Sequence, residues 1–182
     1  DPSQPTFPSE RERAQKAVEE FQKVAAKYGD PYRTEARYFA ATNLLSVDRN
    51  RAISELTEIS KSGKGDVSAL AKFALAQAKE ADGSFDEAAQ LYKELAGENS
   101  MIVTPDTANL RLALVYDKQG KKKEAADALF NIVEAARKAK DAEGATPPES
   151  AAAREASKEL QRIDSARYAQ LTPAAPRSDL PF

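Results

Sequence analysis

The sequence predicts an all-α fold, a solenoid of about eight helices built from stacked helical hairpins, and three observations carry that prediction. Apolar residues recur at intervals of three and four along most of the chain, the spacing that lines one face of a helix. Small alanines recur at Ala17, Ala52, Ala88 and Ala125, which are 35, 36 and 37 residues apart. Capping side chains, prolines and glycines punctuate the chain between these helical runs.

Residues 1–8 hold three prolines and no helical pattern, and read as an arm. Ser9 with Glu12 forms a capping-box signature, and a helix follows to about Tyr28 with Ala14, Ala17, Val18, Phe21, Val24 and Ala25 at helical spacing. Gly29 ends it. Asp30 as N-cap and Pro31 at the first helical position open the next helix, to about Val47, carrying Tyr38, Phe39, Ala40 and Leu44. Asp48 caps a third helix with Ala52, Ile53, Leu56 and Ile59, and the run from Ser62 to Asp66 is a turn.

The most regular stretch, Ala69 to Ala96, reads as two helices folded back around Gly83, with Ser84 and Glu87 as a second capping box. Thr104 and Pro105 start the next helix, which carries Leu110, Leu112, Ala113, Val115 and Tyr116 and stops at Gly120. Its partner carries Ala125, Ala126, Leu129, Ile132 and Val133 and runs on, polar, to about Glu143. Thr146 to Glu149 reads as a third capping box, ahead of a last helix with Ala152, Ala156, Leu160 and Ile163 on one face. From Leu171 the chain is proline-rich and aperiodic, a tail expected to order only on binding. The domain plan is therefore an arm (1–8), a helical repeat domain (9–170) and a tail (171–182).

The alanine period extends to neighbouring positions. A large apolar residue follows each alanine four places on (Phe21, Leu56, Tyr92, Leu129) and another seven on (Val24, Ile59, Leu95, Ile132). Twelve places upstream stand Ala40, Ala76 and Ala113, each preceded by Phe39, Leu75 or Leu112. Helices approach closely only where side chains are small, and a large neighbour one turn away fills the remaining gap. A lone hairpin cannot bury both faces, so copies with this period stack. The pattern gives three full repeats, an N-terminal half-repeat and a C-terminal capping helix.

Leu75-Ala76, Gly83, Phe85, Ala88 and Tyr92, with Leu112-Ala113, Tyr116, Gly120 and Ala125, resemble the tetratricopeptide repeat pattern over about residues 14 to 135. The Phe39-Ala40 … Ala52 copy departs from it, with Val47 at the turn glycine, and the family's tryptophan and terminal proline are absent. The resemblance implies a right-handed solenoid that binds another protein or peptide on a concave face formed by the first helix of each pair. Family positions on that face correspond here to Thr34, Arg37, Ala41 and Leu44, to Leu70, Phe73, Gln77 and Glu80, and to Thr107, Leu110, Leu114 and Asp117. Phe73, Leu110, Ala41 and Leu114 stand where chaperone adaptors of the family place peptide-carboxylate clamps. The implied partner is thus an apolar or amphipathic segment. The alternative is a structural module in which the same face mediates self-association, as a homodimer. The texture is also similar to bacterial membrane-anchored, periplasmic repeat proteins. This implies an envelope setting, with a membrane anchor outside this sequence; otherwise the cytoplasm. The chain begins with Asp1, not methionine, so a targeting segment is expected to have been removed.

Cysteine and histidine are both absent, which removes thiolate nucleophiles, disulfides, Cys/His zinc sites and histidine bases. Net charge is −2, so no basic excess invites nucleic acid. The carboxylates Asp86, Glu87, Glu19, Glu20 and Asp117 fall on expected exposed faces or turns, where nothing raises a pKa for acid–base work. No cofactor, no metal and no enzymatic role are expected. Tyr28, Tyr32, Tyr38 and Phe39 form the densest aromatic region and are expected to pack between the first two hairpins.

Overall fold

The computed structural model describes residues 7–63, 65–98 and 100–174. Among them are nine α-helices and no strand: α1 (Glu10–Lys27), α2 (Tyr32–Leu44), α3 (Arg49–Ser62), α4 (Asp66–Ala81), α5 (Phe85–Ala96), α6 (Pro105–Lys118), α7 (Lys122–Lys138), α8 (Ala151–Ile163) and α9 (Ser165–Tyr168). The fold is all-α, with α1–α2, α2–α3, α3–α4, α6–α7, α7–α8 and α8–α9 packed on one another. The chain divides into two compact units, Asp1–Leu91 with Ser100–Val103, and Tyr92–Asn99 with Thr104–Phe182; the division falls inside α5.

In the first unit α1 packs on α2, α2 on α3 and α3 on α4, while α2 also touches α4. Its core joins Ala41 of α2, Leu56 and Ile59 of α3, and Ala71, Ala74 and Leu75 of α4. A smaller cluster joins Val18, Leu44 and Ala52. In the second unit α6 packs on α7, α7 on α8, and α6 also on α8. Leu110, Ala113, Leu129, Ile132, Val133, Ala153, Ala156 and Leu160 form its centre. Of the alanines read as crossing points, Ala52, Ala76, Ala88, Ala113 and Ala125 are 0% exposed and Ala40 5%, which leaves no space for a larger side chain, whereas Ala17 is only half-buried.

Several boundaries follow local chemistry read in the sequence. The Ser9 side chain accepts from Glu12 N–H at 3.2 Å, Asp48 from Arg51 N–H at 3.1 Å, and Thr104, ahead of Pro105, from Thr107 N–H at 3.3 Å. Gly83 and Gly120 close the second and third pairs with φ of 74° and 75°, a conformation that strains any side chain. The first pair, with Val47 instead, turns through residues with no positive φ.

Other boundaries differ from the sequence expectation. Pro31, not Asp30, occupies the cap position of α2, and the Asp30 carboxylate accepts from the Thr34 hydroxyl at 2.6 Å. α2 stops at Leu44 because the chain must become extended at Asp48 to cap α3. α7 ends at Lys138, short of Glu143. Beyond it the Asp141 carboxylate accepts from Glu143 N–H (3.1 Å) and Ala145 N–H (2.8 Å), a local turn that competes with helix. The expected Thr146–Glu149 capping box does not form. Proline disfavours helical geometry at the residue before it, so Pro147-Pro148 delays the helix. Ser150 caps α8 by accepting from Ala153 N–H at 3.1 Å. The last helix also breaks at Asp164, which caps the separate turn α9.

The start of the tail is held. Leu171 is 8% exposed in the second unit's core, and the Thr172 N–H and hydroxyl donate to Glu134 at 3.0 and 2.8 Å. The rest of the expected tail, from residue 175 on, lies outside the described residues, as does most of the arm.

Candidate binding surface

The twelve positions assigned to a concave face divide between the two units. On α2, Thr34 is half-buried and tied to Asp30. Arg37 pairs with Glu55 at 3.0 Å and Glu58 at 2.9 Å. Ala41 and Leu44 are buried, and with Arg37 they line a cavity of about 120 Å³ among α1, α2 and α3. That volume is well below the several hundred Å³ of a small-molecule site. On α4, Leu70 and Phe73 are half-buried, Gln77 is exposed and Glu80 is buried.

In the second unit the α6 positions are largely covered. Thr107 shares a 2.9 Å hydrogen bond with the capping Thr104 hydroxyl. Leu110 is in the core, and Leu114 packs against the cluster that includes Ala153, Ala156 and Leu160 of α8. Asp117 receives Arg162 of α8 at 2.7 Å and also pairs with Lys122. Lys122 and Arg162 hold its carboxyl below the ordinary aspartate range.

Large apolar side chains are exposed elsewhere: Met101 and Ile102 between α5 and α6, Phe7 ahead of α1, and a group along α1 and α2 of the first unit. Val24 is 37% exposed, Tyr28 45%, Tyr32 62% and Phe39 45%. Phe21 stacks on Phe39 with ring centroids 5.2 Å apart, and Tyr28 meets Tyr32 edge-on at 6.4 Å. Phe21 and Val24 follow one another by one turn on α1, and Tyr28 is the extended C-cap residue that ends the helix. With 150–250 Å² per aromatic side chain, the open area of Tyr28, Tyr32 and Phe39 together is roughly 300 Å². The sequence reading expected Tyr28, Tyr32 and Phe39 to be packing residues. The structure leaves them on the surface, and only Tyr38 packs against the first unit's core. The signal that could have found them was in the repeat, where α1 stands as an N-terminal half-copy.

The ionisable groups suit solvation and structure. Glu20 is lowered by Lys23 and Lys16, Asp30 by Thr34, and Glu134 falls to about 2 through Lys138 and Thr172. Glu87 pairs with Lys79 at 2.7 Å. No group of three or more metal-ligating side chains occurs among the described residues. Nor is any helix among them long and apolar enough to cross a membrane.

Comparison with protein-family models, with curated proteins and with solved structures returns no match to this chain.

Proposed function

We propose that the protein is a non-enzymatic binding module, a helical-repeat scaffold that receives an apolar or amphipathic segment of another protein. One observation carries this reading: Val24, Tyr28, Tyr32 and Phe39, along α1 and α2, stand 37–62% exposed and leave roughly 300 Å² of aromatic surface open to solvent. The Leu70, Phe73 and Gln77 stripe on α4, at one-turn and two-turn spacing, offers a second contact strip on the first unit. The downward pKa shifts of Glu20, Asp30, Asp117 and Glu134 also support it, because a general acid at neutral pH needs a raised one. The sequence resemblance to tetratricopeptide repeat proteins of the bacterial envelope supports a periplasmic setting with a membrane anchor.

The test is a comparison of proteins retained from a bacterial extract by the wild type, by Val24→Glu/Phe39→Glu and by Phe73→Glu. Loss with the double substitution supports the α1–α2 surface, and loss with Phe73→Glu places the contact on α4. Retention unchanged by either would overturn both surfaces. A stable homodimer dissociated by Val24→Glu/Phe39→Glu would instead make the module self-associating.

A further inference from the structure

The second unit holds a short piece of its own chain in the way a protein holds a bound peptide. Leu171 and Thr172 lie beyond α9, outside any helix. Both backbone groups of Thr172 are taken by side chains of α7 that stand one turn apart. Its N–H donates to Glu134 at 3.0 Å, and its carbonyl accepts from Arg137 at 2.8 Å. Its hydroxyl donates to the other Glu134 oxygen at 2.8 Å. Leu171 is 8% exposed and belongs to the buried cluster shared by α6, α7 and α8.

These contacts separate what any peptide offers from what only some do. Every residue but proline carries both a backbone N–H and a carbonyl, so the backbone pairs with Glu134 and Arg137 fix placement without reading identity. Identity is read by the apolar cluster, which takes a leucine, and by the carboxylate oxygen that takes a hydroxyl. Both charged groups also have partners outside residues 171–172. Arg137 donates to Glu149 at 2.8 Å and to Ser157 at 3.4 Å, and Glu134 pairs with Lys138 at 2.7 Å. They therefore keep their placement when the segment leaves.

We infer that Glu134, Arg137 and the leucine pocket beside them form a peptide-recognition site, filled in cis by Leu171-Thr172, whose ligand in trans is a segment of another protein with leucine followed by threonine or serine. The seated dipeptide displays the chemistry that the site accepts, with charge-assisted hydrogen bonds to its main chain and hydroxyl. Tethering holds the chain's own copy at an effective concentration on the order of millimolar, so the site is autoinhibited and an incoming segment must compete. The site adds to the binding-module reading and does not depend on the α1–α2 surface.

The probe is a labelled, acetylated and amidated peptide with the sequence of residues 167–174, titrated by fluorescence anisotropy into the full chain carrying Leu171→Gly/Thr172→Gly, which vacates the site. Saturable binding is expected there, and binding about tenfold or more weaker to the wild type, whose own segment competes. Leu171→Asp in the peptide, or Glu134→Gln in the vacated chain, is expected to weaken binding by about tenfold or more, and Thr172→Val in the peptide to weaken it less. Val24→Glu/Phe39→Glu is expected to leave it unchanged. No saturable binding to the vacated chain, equal binding to the wild type, or indifference to the peptide's leucine and to Glu134→Gln overturns the site. Loss with Val24→Glu/Phe39→Glu would move the peptide to the α1–α2 surface, overturning this site while the binding-module reading stands. Amide hydrogen exchange tests the same inference on the wild type alone. The Thr172 amide is expected to exchange by local opening, about tenfold or more faster than the Leu129 and Leu160 amides. Exchange of Thr172 only by global unfolding, at the rate of those two, would make the segment an integral part of the core and overturn the inference.

Discussion

Arg137 and Glu134 do work in the second unit that no sequence pattern announces. Arg137 donates to Glu149 at 2.8 Å and to the Thr172 carbonyl at 2.8 Å, with its side chain 9% exposed. Glu134 accepts both Thr172 donors and pairs with Lys138 at 2.7 Å. Together they turn the start of an aperiodic tail into a fixed segment. In the sequence these are two charged residues on the polar side of a helix, and apart from Lys138, four residues from Glu134, their partners are 12 to 38 residues away. Spacing rules see only neighbours, so this contact was illegible. Because Glu134 has a folded pKa of about 2, below its ordinary 4.5, its contribution is complete above about pH 4.5 and is lost as pH falls toward 2. The denaturant midpoints of wild type and Glu134→Gln are therefore expected to differ at pH 7 and converge by pH 2. A difference constant across that range would contradict the assignment. Arg137→Met, which leaves Glu149 unpaired, is expected to cost about 2–3 kcal/mol in the same measurement.

At the scale of elements, a cap was legible where one side chain and one N–H decide it, as at Ser9, Asp48 and Thr104. It was misread where two candidates lay side by side. Thr146 and Glu149 have capping-box spacing, yet Pro147-Pro148 moves the start to Ser150 and frees Glu149 for Arg137. Ser150→Ala is expected to destabilise the fold by about 1 kcal/mol, the usual worth of an N-cap. Thr146→Ala, which removes only a 2.7 Å contact with Lys140 on the surface, should change stability by less than about 0.5 kcal/mol. Equal effects at the two positions, read by thermal or urea unfolding, would restore the sequence assignment.

For the whole molecule, the helix pairs and their crossing alanines were legible because close approach selects small residues wherever it occurs, and the selection repeats. The exposed aromatic residues were harder to read. Tyr28, Tyr32 and Phe39 resemble core residues in composition, yet they are 45%, 62% and 45% exposed. Tyr38, one residue from Phe39, packs inward with α3 and α4, so composition alone could not separate the two. The central claim is that one helix pair repeats along the chain and that α1 is less enclosed than the second helices that follow it. The most direct test is the unfolding free energy of four single variants, Ala17→Leu, Ala52→Leu, Ala88→Leu and Ala125→Leu. Overpacking should cost about 1–3 kcal/mol at Ala52, Ala88 and Ala125, and less than about 0.5 kcal/mol at Ala17. Equal destabilisation at all four positions would mean that α1 is enclosed like the other second helices, and would contradict the account.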